Sequence, residues 1–235
     1  MLDLQGLHSF YGRSHVVQGV SLSVGAGEAV GLVGRNGVGK TTTLKSIMGL
    51  VPQTRGRILF KDVDLRSSAT HVRASRGLGF VPDERAVFPR MSVEENIRIG
   101  AFLQPASQQA RCLAVAYELF PVLARRRHQA AGTLSGGEQK MLSLARGLAL
   151  KPDLLLVDEP SEGLMPINVD LISSALLQAA STGMSILVVD ASFELLRSVC
   201  GRLYVMEHGQ ITGEHQLAEF STAAELVKTY LRGQS

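Results

Sequence analysis

Hydrophobic and polar positions change their period several times along the 235-residue chain, and each change marks an element. Val20, Leu22 and Val24 alternate with Ser21 and Ser23, as in a half-buried strand, and Gly25-Ala26-Gly27 reads as the turn that ends it. Residues 29–33 are apolar throughout and predict a short strand buried on both faces. A helical pattern over 40–48 is stopped by Gly49 and Pro52, and 57–60 reads as a strand. A weak helix around 68–76 and a strand over 78–81 follow. Ser92 and Glu95 have capping-box spacing, and helical patterns then dominate to about residue 150. After Pro152 the alternation returns: strand 154–157, helix 168–180, strand 185–189, helix 193–200. Residues 204–206 and 210–212 flank His208-Gly209 as a hairpin. Strands alternating with helices predict an α/β core with a parallel sheet, whose ligands bind beyond the carboxyl ends of the strands.

Composition narrows the class. Hydrophobic residues make up 45% and charged residues 19% of the chain, a globular profile that excludes disordered, collagen-like and disulfide-scaffold chains. A membrane-spanning helix needs about 18 or more uncharged residues, and the apolar stretch 141–157 is broken by Arg146, Lys151 and Asp153. The start, MLDLQGLHSF, carries an acid where a signal peptide would carry bases, so the chain is expected in the cytoplasm. Cys112 and Cys200 stand in no metal or CxxC spacing and read as free thiols. A net charge of +3 is mild. The run Arg125-Arg126-Arg127-His128 could face phosphates or lipid but reads more simply as a solvated loop, and no nucleic-acid partner is expected.

Three segments carry chemistry. Gly34-Arg35-Asn36-Gly37-Val38-Gly39-Lys40-Thr41, followed by Thr42, has the phosphate-loop pattern between a predicted strand and a predicted helix. Its glycines let main-chain N–H groups wrap a phosphate, Lys40 neutralises β- and γ-phosphates, and Thr41 can ligate magnesium. The strand 154–157 runs into Asp158 and Glu159: Asp158 suits the magnesium shell, and Glu159 is placed to polarise an attacking water. Leu134-Ser135-Gly136-Gly137-Glu138-Gln139 opens a helix with small residues and free N–H groups, a second anion site. A chain with its own phosphate loop has no evident need of one, so this segment is expected to serve a nucleotide held by another subunit.

Phosphate loop, LSGGEQ and LLLVDEP, in that order, resemble the ATPase subunit of an ATP-binding cassette (ABC) transporter, and the likeness spans essentially the whole chain. It implies a single domain over 1–235, with an ATPase core at about 1–88 and 151–235 containing a mostly parallel sheet and an N-terminal antiparallel part, and an inserted helical subdomain at about 89–150. By position Tyr11 resembles the aromatic that stacks on adenine. Ser135, Gly136 and Gly137 would meet ATP on a partner's phosphate loop in a head-to-tail dimer with a second ATPase or another copy. GRNGVGKTT, VFPRMSVEEN, YELFPVL and DEPSEGL are most similar to the second ATPase subunit of branched-chain amino-acid importers and their urea or amide relatives. That implies two membrane permeases, a periplasmic binding protein acting through them, and a peripheral place on the cytoplasmic face of the cell membrane.

The chain departs from the family pattern twice. Asp83 stands where a Gln usually contacts magnesium, water and permease; a carboxylate can still be a hard oxygen ligand. After strand 185–189 the family has a His or Gln that bonds the γ-phosphate, whereas this chain has Asp190-Ala191-Ser192. Ala191 has no donor, leaving poor hydrolysis, or replacement by Ser192 or a water, as the alternatives. Three readings follow: an ATP-hydrolysing importer subunit, a hydrolysis-impaired nucleotide-gated partner, and a soluble ABC ATPase of repair or translation. The third has neither a coiled-coil insertion nor a second cassette to support it.

Overall fold

The computed structural model describes residues 1–84, 87–225 and 228. The chain begins with β1 (Leu2–Tyr11) and β2 (Ser14–Val24), then enters β3 (Ala29–Val33) and α1 (Lys40–Ile47). It returns to the edge through β4 (Gln53–Phe60) and β5 (Val63–Asp64), and α2 (Thr70–Ser75) leads into β6 (Leu78–Val81). Four helices follow: α3 (Val93–Gly100), α4 (Ala106–Leu119), α5 (Pro121–Arg125) and α6 (Gly136–Ala149). Then come β7 (Leu154–Asp158), α7 (Pro166–Ser181), β8 (Ser185–Val189), α8 (Phe193–Val199), β9 (Arg202–Glu207) and β10 (Gln210–Gln216).

The strands make two sheets. One, ordered β2-β1-β4-β5, is antiparallel; the other, ordered β10-β9-β3-β8-β7-β6, is parallel except for the β9–β10 hairpin. All five positions of β3, β7 and β8 are buried, because successive side chains enter cores on opposite faces. Leu155, Val157, Ile186 and Val188 pack toward α6 and α7, while Leu154, Leu156, Leu187 and Val189 pack toward β1, β2 and α1. Each such side chain contributes about 1.5–3 kcal/mol of burial. The two cysteines are buried and free.

The first strand was not among the expected elements. Its buried residues are Leu2 and Leu4, then Leu7 and Ser9, so the inward phase flips at a bulge where Gly6 takes φ 55°. Opposite it, Gly56 has φ 92° and lies against Gly6, where a Cβ would run into the Gly6 carbonyl oxygen. These paired irregularities also carry β4 back to Gln53, four residues before its expected start. The other expected elements are present with small changes of boundary.

Capping boxes start both α3 and α6: Ser92 and Ser135 each accept from the N–H three residues on, and Glu95 and Glu138 return the bond. Such a cap is worth about 1 kcal/mol. At its other end α6 lies close on β6, and a Cβ at Gly147 would meet Val81 Cγ2 at 2.5 Å. The helix is therefore pressed against the strand that leads to Asp83.

Candidate functional site

The loop 34–39 leaves the carboxyl end of β3 and enters α1. Gly37 and Gly39 have φ 83° and 114°, left-handed backbone that favours glycine. Gly34 has no room for a side chain, since a Cβ would strike the Met206 carbonyl oxygen. The first turn of α1 leaves the N–H groups of Lys40, Thr41 and Thr42 without intrahelical acceptors, and Gly39 supplies no side-chain cap. The positive end of the helix thus opens on a cavity of about 380 Å³ lined by Asn36, Lys40, Thr41, Asp83, Glu159 and Val16 among others. A larger groove of about 500 Å³ lies at the amino edge of β7, lined largely by apolar side chains of α4, α6 and α7. It holds none of the loop's donors, so the smaller cavity is the chemically equipped one.

Carboxylates face the loop from the carboxyl ends of β7 and β6, which lie beyond β8 in the same sheet. Thr41 Oγ1 donates to Asp158 Oδ1 at 3.1 Å. Burial pushes the Asp158 carboxyl up to about 6, opposed by the Thr41 hydrogen bond and reinforced by the charges of Glu159 and Asp83. Burial likewise raises Glu159, while Lys40 pulls it back. Lys40 Nζ lies 3.5 Å from Glu159 Oε1 and donates to the carbonyls of Gly34 at 2.9 Å and Arg35 at 3.2 Å. Oxygens of Asp83, Glu159 and Glu162 lie within 4.8 Å of one another. A divalent cation fits this donor set: the ligands are hard oxygens, and the four carboxylates Asp83, Asp158, Glu159 and Glu162 outnumber the two ammonium groups, Lys40 and Lys140, that pair with them among the described residues.

Glu159 has φ 45°, a left-handed conformation that costs a non-glycine residue about 1–3 kcal/mol. Its backbone is held at both ends. Its N–H donates to the Val189 carbonyl at 2.8 Å, and its carbonyl accepts from Lys140 Nζ at 2.8 Å. The same ammonium lies 3.1 Å from Asp83 Oδ1.

The phosphate-loop residues, Asp83, Asp158 and Glu159 therefore converge within one chain, whereas Tyr11, Ser135, Gly136 and Gly137 lie outside the cavity. Tyr11 is exposed in the β1–β2 hairpin opposite Ser14, and Val16 of β2 is the residue of that sheet that reaches the cavity. Ser135 and Gly136 are exposed at the start of α6, where Arg126 pairs with Glu138 at 3.2 Å. One arginine of the basic run is thus anchored beside this helix rather than only solvated.

The loop after β8 is built around Asp190, which the sequence showed only as part of the departure Asp190-Ala191-Ser192. Asp190 is buried and accepts from Ser161 N at 2.9 Å, Ser161 Oγ at 2.5 Å and Ser192 N at 2.7 Å. Ser192 is not free to replace the missing donor, because its hydroxyl caps α8, accepting from Leu195 N at 3.2 Å, and lies 3.2 Å from Glu194 Oε2. Glu162 was within reach of sequence reading, inside the segment 158–164; Lys140 and Val16 carried no signal beyond their neighbourhoods.

Comparison with known proteins agrees with this geometry. A family model described as "ABC transporter" matches residues 17–162. The chain is 35% identical over 233 residues to the high-affinity branched-chain amino acid transport ATP-binding protein BraG of Pseudomonas aeruginosa, covering 99% of this chain and 100% of BraG. It is 33% identical over 234 residues to the lipopolysaccharide export system ATP-binding protein LptB of Escherichia coli K12, covering 98% and 96%. A solved ATP-binding subunit of an ABC transporter superposes with a TM-score of 0.87 at 24% identity, over 98% of this chain and 99% of that one. A cassette solved as a dimer in a post-hydrolysis state with ADP and Pi gives 0.83 at 22% identity, over 92% and 99%. The family match and the end-to-end likeness to a transport ATP-binding protein show that the chain belongs to the ABC transporter family as one of its ATPase subunits.

Proposed function

We propose that the chain powers an importer of branched-chain amino acids or a related small amide such as urea. The observation that carries this is its end-to-end likeness to BraG, joined to the subgroup wording at VFPRMSVEEN, YELFPVL and DEPSEGL. The likeness to LptB is nearly equal, so the direction and the solute are what the experiment must decide.

In this reading residues 34–42 cradle the ATP phosphates and Lys40 neutralises them. Thr41, Asp158 and Asp83 hold magnesium, which when bound screens charge on the phosphates. Glu159 takes the proton of the attacking water, and Tyr11 stacks on adenine. Ser135, Gly136 and Gly137 serve a nucleotide on a second ATPase, or another copy, across a head-to-tail dimer. Gly136 supports this: it is exposed, nothing would lie within 4 Å of an added Cβ, and its own helix would gain from alanine. Its lack of a side chain suits close approach from outside the chain. Two permeases, with a periplasmic binding protein acting through them, would hold the pair at the cytoplasmic face of the membrane. Among the described residues no helix is long and apolar enough to cross it.

Uptake of labelled leucine, isoleucine, valine and urea by cells lacking the chain tests the proposal. Loss of one uptake, restored by the chain but not by its Lys40→Ala variant, is the expected result; unchanged uptake of all four would overturn it. One observation favours a second reading, a slow site in an asymmetric pair: Ala191 has no donor and Ser192 is committed to its cap.

A further inference from the structure

Four carboxylates, Asp83, Asp158, Glu159 and Glu162, crowd the carboxyl edge of β6 and β7, and among the described residues two ammonium groups form ion pairs with them. Lys40 comes from the phosphate loop's own helix. Lys140 comes from α6, the helix that begins with Ser135, Gly136 and Gly137, and it makes two contacts at once: 3.1 Å to Asp83 Oδ1 and 2.8 Å to the Glu159 carbonyl oxygen. Both partners need such a contact. Asp83 follows β6 in an irregular loop and would otherwise be repelled by Glu159 and Glu162, whose oxygens lie within 4.8 Å of its own. Glu159 is held in a left-handed conformation by its two main-chain bonds, of which Lys140 makes one. Lys140 is also largely shielded from solvent, so screening weakens the pair little.

We infer that Lys140 is a positioning residue for hydrolysis: its ammonium orients the Asp83 carboxylate toward the metal and fixes the Glu159 backbone, tying both to helix α6. Lys140 lies five residues beyond Ser135, about 7.5 Å along the helix axis, so a displacement of the partner-facing end of α6 reaches Asp83 and Glu159 through one side chain. One Asp83 oxygen takes the ammonium, and the other has no hydrogen bond among the described residues, which suits a ligand role. The inference rests on the reading of Asp83 as a metal residue and Glu159 as the base, and its test separates the two.

Manganese serves as the spectroscopic probe for the metal. Its affinity in the presence of ATP is measured by electron paramagnetic resonance on the full chain and on Lys140→Met, Lys140→Arg and Asp83→Asn, alongside ATP affinity in EDTA and the kcat and KM of turnover. Removing a group that orients a metal ligand typically costs 10- to 100-fold in metal affinity or activity. Lys140→Met should therefore lower manganese affinity and kcat by about 10-fold or more, leave metal-free ATP affinity within about threefold, and be partly rescued by Lys140→Arg. Combined with Asp83→Asn it should add less than the product of the single effects. Manganese affinity lowered by Asp83→Asn but not by Lys140→Met would overturn the inference alone, as would a Lys140→Met loss that falls equally on metal-free ATP binding. Manganese affinity unchanged in Asp83→Asn would overturn the metal role of Asp83 and the inference with it.

Discussion

Ala191 stands beside the carboxyl end of β8, and the hydroxyl nearest to it in sequence is turned into the cap of α8. A donor aimed at the charge that develops on a transferring group is worth about 10²- to 10³-fold in rate. Replacing Ala191 by His or Gln is accordingly expected to raise turnover at this site, measured in the assembled complex with the partner's own catalytic carboxylate disabled. A rate already typical of intact cassettes, unmoved by either substitution, would show that another group fills the role. Asp158 supports a second prediction. Its folded pKa, about 6, lies above its ordinary value, so the cost of burying its charge is fully present above pH 6 and is relieved as the pH falls toward 4. Without magnesium, Asp158→Asn should stabilise the chain at pH 7.5 by about 1–3 kcal/mol, and by less at pH 5. Thermal unfolding at the two pH values checks it, and a stabilisation that grows on acidification would contradict it.

At the scale of an element, helix α6 is exposed at its start and reaches inward through Lys140 in its second turn, so the two proposed roles meet on one helix. Alanine at Gly136 fits the monomer, so Gly136→Ala should leave the melting temperature unchanged or slightly higher while weakening ATP-driven association with the partner ATPase, read by size exclusion in the Glu159→Gln background. Association unaltered by the added methyl would count against a close approach there. The elements most legible in the sequence were those whose pattern is locally complete. The uninterrupted apolar runs of β3, β7 and β8 and the capping box at Ser92 needed no distant partner; the same spacing at Ser135 and Glu138 was equally local but was read only as a helix start. The strand β1 was not legible because the bulge at Gly6 shifts its apolar phase, so that Leu4 and Leu7, an odd spacing apart, both point inward. The phosphate loop and Asp158-Glu159 could be read because each is contiguous. Lys140 is 57 residues from Asp83, and Asp190 is 29 from Ser161; those pairings exist only after folding.

Across the whole molecule, parallel strand order brings residues 34–42, 83 and 158–162 to one sheet edge, each delivered by the carboxyl end of a different strand. That edge holds helix N–H groups, a lysine, a hydroxyl and carboxylates, while the larger apolar groove lies at the amino edge of β7. Tyr11 and Ser135 to Gly137 stay outside the cavity of their own chain, so the proposed chemistry is completed only by nucleotide and a second ATPase. Removing charge from the phosphate loop and removing the base should then separate binding from turnover: Lys40→Ala is expected to abolish tight ATP binding, whereas Glu159→Gln keeps ATP bound. The most direct test is ATP retention and turnover by the assembled complex carrying Glu159→Gln. A general base is worth about 10²- to 10⁴-fold, so ATP should remain bound while hydrolysis at this site falls by that factor; turnover equal to that of the unaltered chain would contradict Glu159 as the base.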